Sequence, residues 1–449
     1  MGFRDDFLWG VAAASYQVEG AANEDGRGMS VWDMFCKQPG RIIDGSSGDT
    51  ACDHYHRYKE DIALMKEMGI KAYRLSIAWP RVIPDGDGKV NEKGLDFYER
   101  LIDALNEAGI SPCVTLFHWD YPYELFRKGG WMNPESSRWF LRYVETVLKR
   151  LGGKIPMAFT FNEPQCFIGI SYDITEHAPG IQFPLWDTLL MTHNVLLAHG
   201  LTVQALRSLS PDTLVGYAPT GRGHYPASDS AEDREAARKA YFALGDYICA
   251  SVSLWSDPVF FGKYPDELLE NHAQHMPKIG PDDMKIISQP LDFLGQNIYF
   301  GAPVKAGGKD GYEFPPMKTG YPYTAIKWPV TPESLYWGPV FLTERYKVPI
   351  YITENGMSGT DVVSLDGKVH DPQRIDFLNR YLNSYKKAAE DGVDIRGYFH
   401  WCFTDNFEWA KGYTDRFGLV YCDFKTQQRI IKDSGYWYRD VIKSNGAQL

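Results

Sequence analysis

Along this chain, short apolar runs alternate with longer segments in which apolar residues recur every three or four positions. The runs are rich in β-branched and aromatic residues and are bounded by Gly, Pro or polar residues, a pattern that reads as buried strands. They lie at Phe7 to Ser15, Ala72 to Trp79, Ser111 to Trp119, Pro156 to Asn162, Leu214 to Pro219, Asp292 to Tyr299, Pro349 to Thr353 and Gly397 to Phe403. The periodic segments between them predict amphipathic helices. Tyr58, Ile62 and Met65 mark one over Tyr55 to Met68, stopped by Gly69. Tyr98, Leu101, Ile102 and Leu105 mark another over Leu95 to Ala108, stopped by Gly109. Leu378, Leu382 and Tyr385 mark a third over Ile375 to Ala389, ending near Gly392. A glycine just past the last turn supplies the left-handed cap.

Eight strands, each followed by helix-bearing sequence, predict an α/β fold: a single (β/α)8 TIM barrel with extended βα loops. No Ser/Gly-rich or Pro-rich linker, low-complexity stretch or charge block divides the 449 residues, so one domain over 1-449 is expected. An open doubly wound sheet would also alternate strand and helix. It calls for a Gly-rich phosphate loop after an early strand, and the residues around Gly10 and Gly20 do not make one. In a barrel the active site lies at the C-terminal ends of the strands. Polar residues collect there: Gln17 past the first strand, His118 in the third, Asn162 and Glu163 after the fourth, Asn297 and Tyr299 in the sixth, and Glu354 after the seventh.

Composition narrows the function. A formal charge of −11 argues against a broad nucleic-acid surface. No helix-length apolar run predicts a membrane span. The first residues, Met1 to Phe7, lack the basic and then apolar order of a secretory signal, so a cytoplasmic location is expected. Seven scattered cysteines without a CxxC fit free thiols in a reducing compartment. No Cys/His cluster has zinc-ligand spacing. The nearest approach, His54-Tyr55-His56, reads better as a helix start than as a metal site. Aromatic residues reach 14%, which suits sugar stacking and large cores alike.

The sharpest chemical signal is a pair of glutamates. Thr160-Phe161-Asn162-Glu163-Pro164 and Tyr351-Ile352-Thr353-Glu354-Asn355-Gly356 are each a hydrophobic run that stops at a carboxylate. A buried carboxylate is costly unless it has partners or work. Cleavage of a glycosidic bond needs two such groups, one protonated and one ionised, flanking an oxocarbenium-like transition state. Their burial and mutual repulsion push the two pKa values apart. The alternative is a pair of structural, salt-bridged carboxylates.

Several ordered motifs resemble glycoside hydrolase family 1, the β-glucosidase family, essentially from end to end. They are Phe7-Leu8-Trp9-Gly10-Val11-Ala12-Ala13-Ala14-Ser15-Tyr16-Gln17-Val18-Glu19-Gly20, Tyr73-Arg74-Leu75-Ser76-Ile77-Ala78-Trp79-Pro80-Arg81, His118-Trp119-Asp120, the two glutamate segments, and Asp405-Asn406-Phe407-Glu408-Trp409. The resemblance implies a retaining double displacement. Glu354 would be the nucleophile and Glu163 the acid/base, with carboxyl groups about 5–5.5 Å apart. It further implies that Asn162 meets the sugar 2-hydroxyl and that Arg74 and Tyr299 keep Glu354 ionised and oriented, with Asn297 in support. Gln17, His118, Glu408 and Trp409 match sugar-binding positions. Trp401 would be the stacking floor, Trp119 and Phe417 the wall, and Trp328 would line the aglycone side.

Glu408, and the lack of a lysine–tyrosine pair near Thr414-Asp415-Arg416, disfavour a phosphorylated sugar. Glu163, where the thioglucosidase branch carries Gln, favours O-glycosides. The chain departs from the family in Ser171-Tyr172-Asp173-Ile174-Thr175-Glu176, which lacks the usual glycines before His177-Ala178-Pro179-Gly180, and at Thr220, where an asparagine is common. By the same resemblance both would lie on the aglycone side, and they leave acceptor preference open. Exo-hydrolysis of β-glucosides is expected, on short oligosaccharides such as cellobiose or on aryl glucosides, with galactosides and fucosides as further substrates. Neither metal nor organic cofactor is implied. The rivals are a transglycosylating β-glycosidase and a non-catalytic sugar-binding barrel.

Overall fold

The computed structural model describes residues 2–449. Eight parallel strands form one sheet: β1 (Leu8–Ala12), β2 (Ala72–Ser76), β3 (Ser111–Thr115), β4 (Met157–Asn162), β5 (Leu214–Ala218), β6 (Leu294–Asn297), β7 (Ile350–Asn355) and β8 (Ile395–Trp401). The order around the sheet is β5-β4-β3-β2-β1-β8-β7-β6. Asp292 N donates to Val215 O at 2.9 Å, and Thr220 forms a parallel bridge to Asn297. These contacts bring β6 back to β5 and close the barrel, as the strand–helix alternation predicts. A shorter antiparallel pair, Val420–Cys422 with Arg429–Ile431, packs outside it.

The apolar runs coincide with the strands because parallel strands are covered on both faces and must be apolar along their length. Every residue of β2 and β4 is buried. The helices bury the stripes that the periodicity marks. Over Glu92–Glu107, Leu95, Tyr98, Leu101, Ile102 and Leu105 all face the sheet at 3% exposure or less. Gly69, Gly109 and Gly392 each take a positive φ just beyond a helix. His54 begins the helix His54–Glu67, and its ring meets Asp61 at 2.7 Å. His56 turns instead to Asp53 and Glu24.

Three placements differ from the sequence pattern. His118 lies beyond β3 and Tyr299 two residues beyond β6, because each chain leaves the ladder before its apolar run ends. Glu354 lies inside β7, which runs on to Asn355, since ladder hydrogen bonds follow backbone pairing rather than side-chain polarity. After β4 the chain enters a π-helical stretch, Gln165–Ile174, that no sequence signal marks. A helix buried on nearly all sides, Leu185–Leu209, packs behind it. Among the described residues, no helix is long and apolar enough to cross a membrane. All seven cysteines are unpaired.

Gly356 lets the end of β7 approach the end of β8. A Cβ there would lie 1.9 Å from the Trp401 carbonyl oxygen, which backbone cannot accommodate without shifting. Gly356→Ala should therefore lower stability by about 1–3 kcal/mol, the usual cost of overpacking, and depress activity by displacing Glu354. Thermal unfolding at one pH checks the first part. An unchanged melting temperature would contradict the close approach.

Candidate active site

The polar residues converge at the C-terminal mouth of the barrel. Arg74, on β2 and 1% exposed, is the hub. Its Nη1 donates to Glu354 Oε1 at 2.6 Å, its Nη2 to Asn162 Oδ1 at 2.6 Å, and its Nε to Thr115 at 3.1 Å. Tyr299 donates its phenol to the other Glu354 oxygen at 2.7 Å. Asn297 Nδ2 donates to Asn162 Oδ1 at 3.0 Å and to Glu163 Oε1 at 2.7 Å. Cys166 Sγ donates to Glu163 Oε2 at 3.2 Å. One continuous network thus joins the two carboxylates through Arg74, Asn162 and Asn297.

Hydrogen-bond roles in this network follow from Arg74, which can only donate. Asn162 Oδ1 is therefore an acceptor, and the Asn297 atom facing it is the amide nitrogen. Asn162 Nδ2 donates to His118 Nε2 at 3.0 Å, which assigns the His118 proton to Nδ1. Burial holds the His118 pKa well below its ordinary value, so the ring is neutral. Its Nδ1–H, together with Gln17 Oε1 and Glu408 Oε2, is buried with no partner among the described residues. Those orphaned groups supply a donor, an amide acceptor and a carboxyl oxygen, a set suited to hydroxyl groups.

Burial raises both catalytic-candidate carboxyls. At Glu354 it drives the titration to about 7, against the pull of Arg74 and with the added repulsion of Glu163. Arg74 and the Tyr299 phenol donate to Glu354 and favour its charged form, whereas no cation hydrogen-bonds Glu163. Burial and the Glu354 charge push the Tyr299 phenol well above its ordinary value, and it stays a donor.

Aromatic rings wall the mouth. Trp409 lies 4.5 Å from Trp119 and 6.0 Å from His118, centroid to centroid. Trp401 lies nearly parallel to His118 at 5.8 Å. Gln17 is fastened by its Nε2, which donates to Phe407 O at 2.9 Å and to Asn406 Oδ1 at 3.2 Å. Trp119 Nε1 donates to Asn162 O at 3.0 Å. Trp328, Tyr299 and Phe417 cluster within 6.2 Å of one another on another side. Arg74, His118, Trp119, Asn162, Glu163, Asn297, Tyr299 and Glu354 are joined by hydrogen bonds, with Trp401, Trp409, Phe417 and Trp328 packed against that network.

Glu163, Trp119 and Trp409 have φ values of 45°, 78° and 50°. Such left-handed non-glycine backbone costs about 1–3 kcal/mol per residue and clusters at working sites. Sequence reasoning missed Thr353, whose hydroxyl donates to Asn297 Oδ1 at 2.6 Å, and Cys166. Thr353 adjoins Glu354 in the motif and was open to notice. For Cys166 the only signal is its place three residues after Glu163.

The chain belongs to glycosyl hydrolase family 1: residues 1–447 match the model of that family, described as "Glycosyl hydrolase family 1". It is similar to β-glucosidase A of Acetivibrio thermocellus, with 45% identity over 99% of both chains. It is also similar to β-glucosidase A of Thermotoga maritima, with 43% identity over 99% of both chains. The fold matches a solved β-glucosidase from Thermotoga maritima in complex with galacto-hydroximolactam, at a TM-score of 0.91, 43% identity and 99% coverage of each chain.

Glu408 yields a test of the site's electrostatics. Burial, with Asp415 and Glu354 nearby, raises its pKa to about 8. A carboxyl whose folded pKa exceeds its unfolded value favours the fold at low pH and loses that contribution as pH rises through the folded value. Glu408→Gln should match wild type in stability at pH 5. At pH 8 it should be more stable by about 2 kcal/mol, after discounting for solvent screening. Denaturant unfolding at both pH values measures this. An equal difference at the two would contradict it.

Proposed function

We propose that this protein is a retaining β-glucosidase in which Glu354 is the nucleophile and Glu163 the acid/base. The observation that carries the assignment is the asymmetry of the two carboxylates. Glu354 is bound by a guanidinium and a phenol, which favour its charge, whereas Glu163 is bound by an amide and a thiol. Glu354 attacks the anomeric carbon while Glu163 protonates the departing oxygen. Glu163, now ionised, then takes a proton from water as that water displaces Glu354. Two inversions retain the anomeric configuration.

Asn162 has a second amide hydrogen free for the sugar 2-hydroxyl, where hydrogen bonds strengthen in the transition state. Gln17, His118 and Glu408 take the remaining hydroxyls, Trp401 stacks on the ring, and Trp409, Trp119 and Phe417 enclose it. Trp328 borders the aglycone. The substrates are short β-gluco-oligosaccharides, such as cellobiose, and aryl glucosides. Galactosides and fucosides are further substrates, in keeping with the galacto-configured inhibitor in the similar solved enzyme. The whole chain acts as one catalytic domain in the cytoplasm, where its free thiols suit a reducing environment.

Release of nitrophenol from p-nitrophenyl β-D-glucoside tests the assignment. Glu354→Ala should lose at least about 10⁴-fold in kcat, and added azide should restore turnover with formation of an α-glucosyl azide. Full activity in the variant would sink the mechanism. The pH profile should be bell-shaped. Acid protonates Glu354 and removes the nucleophile, and alkali strips Glu163, whose pKa burial raises, of its proton. Activity that keeps rising past pH 9 would contradict the acid role of Glu163.

A further inference from the structure

Oε1 and Oε2 of Glu163 are not equivalent. Oε1 faces Asn297 Nδ2 at 2.7 Å, and the amide orientation is fixed by Arg74 acting through Asn162 Oδ1. Oε1 accepts the shorter and stronger hydrogen bond, from an amide, which favours negative charge there, so the acid proton is favoured on Oε2, where the weaker Cys166 thiol donor lies 3.2 Å away.

The thiol is held there by the backbone. Cys166 N donates to Glu163 O at 2.9 Å and closes the turn at the start of the π-helical stretch. Just before it, Gln165 clamps Thr220 at the end of β5. Gln165 Nε2 donates to Thr220 O at 2.9 Å, and Gln165 Oε1 accepts from Thr220 N at 3.3 Å. Cys166 is 8% exposed. Burial and the Glu163 charge keep its sulfur protonated, so it acts as a hydrogen-bond donor and not as a nucleophile.

We infer that Cys166 is a positioning residue for the acid/base: its S–H aims Oε2 and weakly stabilises the carboxylate left when Glu163 gives up its proton. The inference rests on the reading of Glu163 given above. In the first half-reaction the proton passes from Oε2 to the departing oxygen, and the new carboxylate accepts the S–H hydrogen bond. In the second, Oε2 takes a proton from water and the contact weakens. The sulfur keeps its own proton throughout. A weak donor suits an oxygen that must alternate between charged and neutral states, whereas a strong one would hold the charge and lower the pKa of the acid. The other ionisable groups that act on Glu163 are Arg74 from β2, Glu354 from β7, Tyr299 beyond β6 and Glu408 beyond β8. None of them is altered by a change at Cys166.

The experiment is the pH dependence of kcat/KM on p-nitrophenyl β-D-glucoside for wild type, Cys166→Ala and Cys166→Ser. Removing the donor should move the descending limb upward by about 0.5–1 pH unit. Serine, which restores a donor in the same place, should return the limb to the wild-type position or below it. Limbs that coincide in all three enzymes, or move together in both variants, would overturn the inference. Glu163→Gln, assayed with 2,4-dinitrophenyl β-D-glucoside, whose leaving group needs no acid, isolates the underlying reading. There the descending limb should vanish. Its persistence would remove Glu163 from the acid role. Its loss, together with an unmoved limb in Cys166→Ala, would sink the cysteine inference alone.

Discussion

The active site depends on one buried guanidinium. Arg74 brings a full positive charge into the barrel interior, where an unpaired ion would cost several kcal/mol. Its partners make that burial tolerable: a carboxylate, an amide oxygen, a hydroxyl and the Thr353 carbonyl. Each partner is thereby fixed in role as well as place. Glu354 is paired, Asn162 is oriented, and through Asn162 the amide of Asn297 is turned toward Glu163. Because a guanidinium only donates, the direction of every hydrogen bond downstream is determined. The two carboxylates differ in their hydrogen-bond partners although both are buried.

The barrel supplies what such a hub requires. Parallel strands carry residues from β2, β4, β6 and β7 to the same mouth, so groups more than 250 residues apart in the chain meet at hydrogen-bond distance. Loops that leave the strands early then turn sharply. The left-handed backbone at Glu163, Trp119 and Trp409 shows where side chains are aimed at the mouth at a local conformational cost. That cost is carried by a continuous hydrophobic core running from Phe3 to Ile442.

Much of this was legible in the chain. All eight strands lie within the apolar runs or overlap them, because a doubly covered strand has no polar face to interrupt its pattern. The glycine stops after three helices were equally plain, since positive φ excludes most side chains there. The two glutamates stood out because charge at the end of a buried run has few innocent explanations. Less visible were the all-round buried helix Leu185–Leu209, whose amphipathic signal is weak, and the π-helical stretch after Glu163, whose register depends on its packing neighbours. The exact strand ends at His118, Tyr299 and Glu354 were also displaced, since pairing with neighbouring strands sets them.

The sequence by itself determined the family, the alternation that builds the barrel, and the residue types from which the site is made. Those are local or patterned properties, recorded in burial periodicity and in short ordered motifs. Only the tertiary structure decided which donors each carboxylate meets. That choice rests on Arg74 and Tyr299 meeting Glu354 while Asn297 and Cys166 meet Glu163. Each of these pairings except the last joins residues distant in the chain. The last needs the particular turn that follows β4. Protonation is set by neighbours in space, and periodicity along a chain does not encode them.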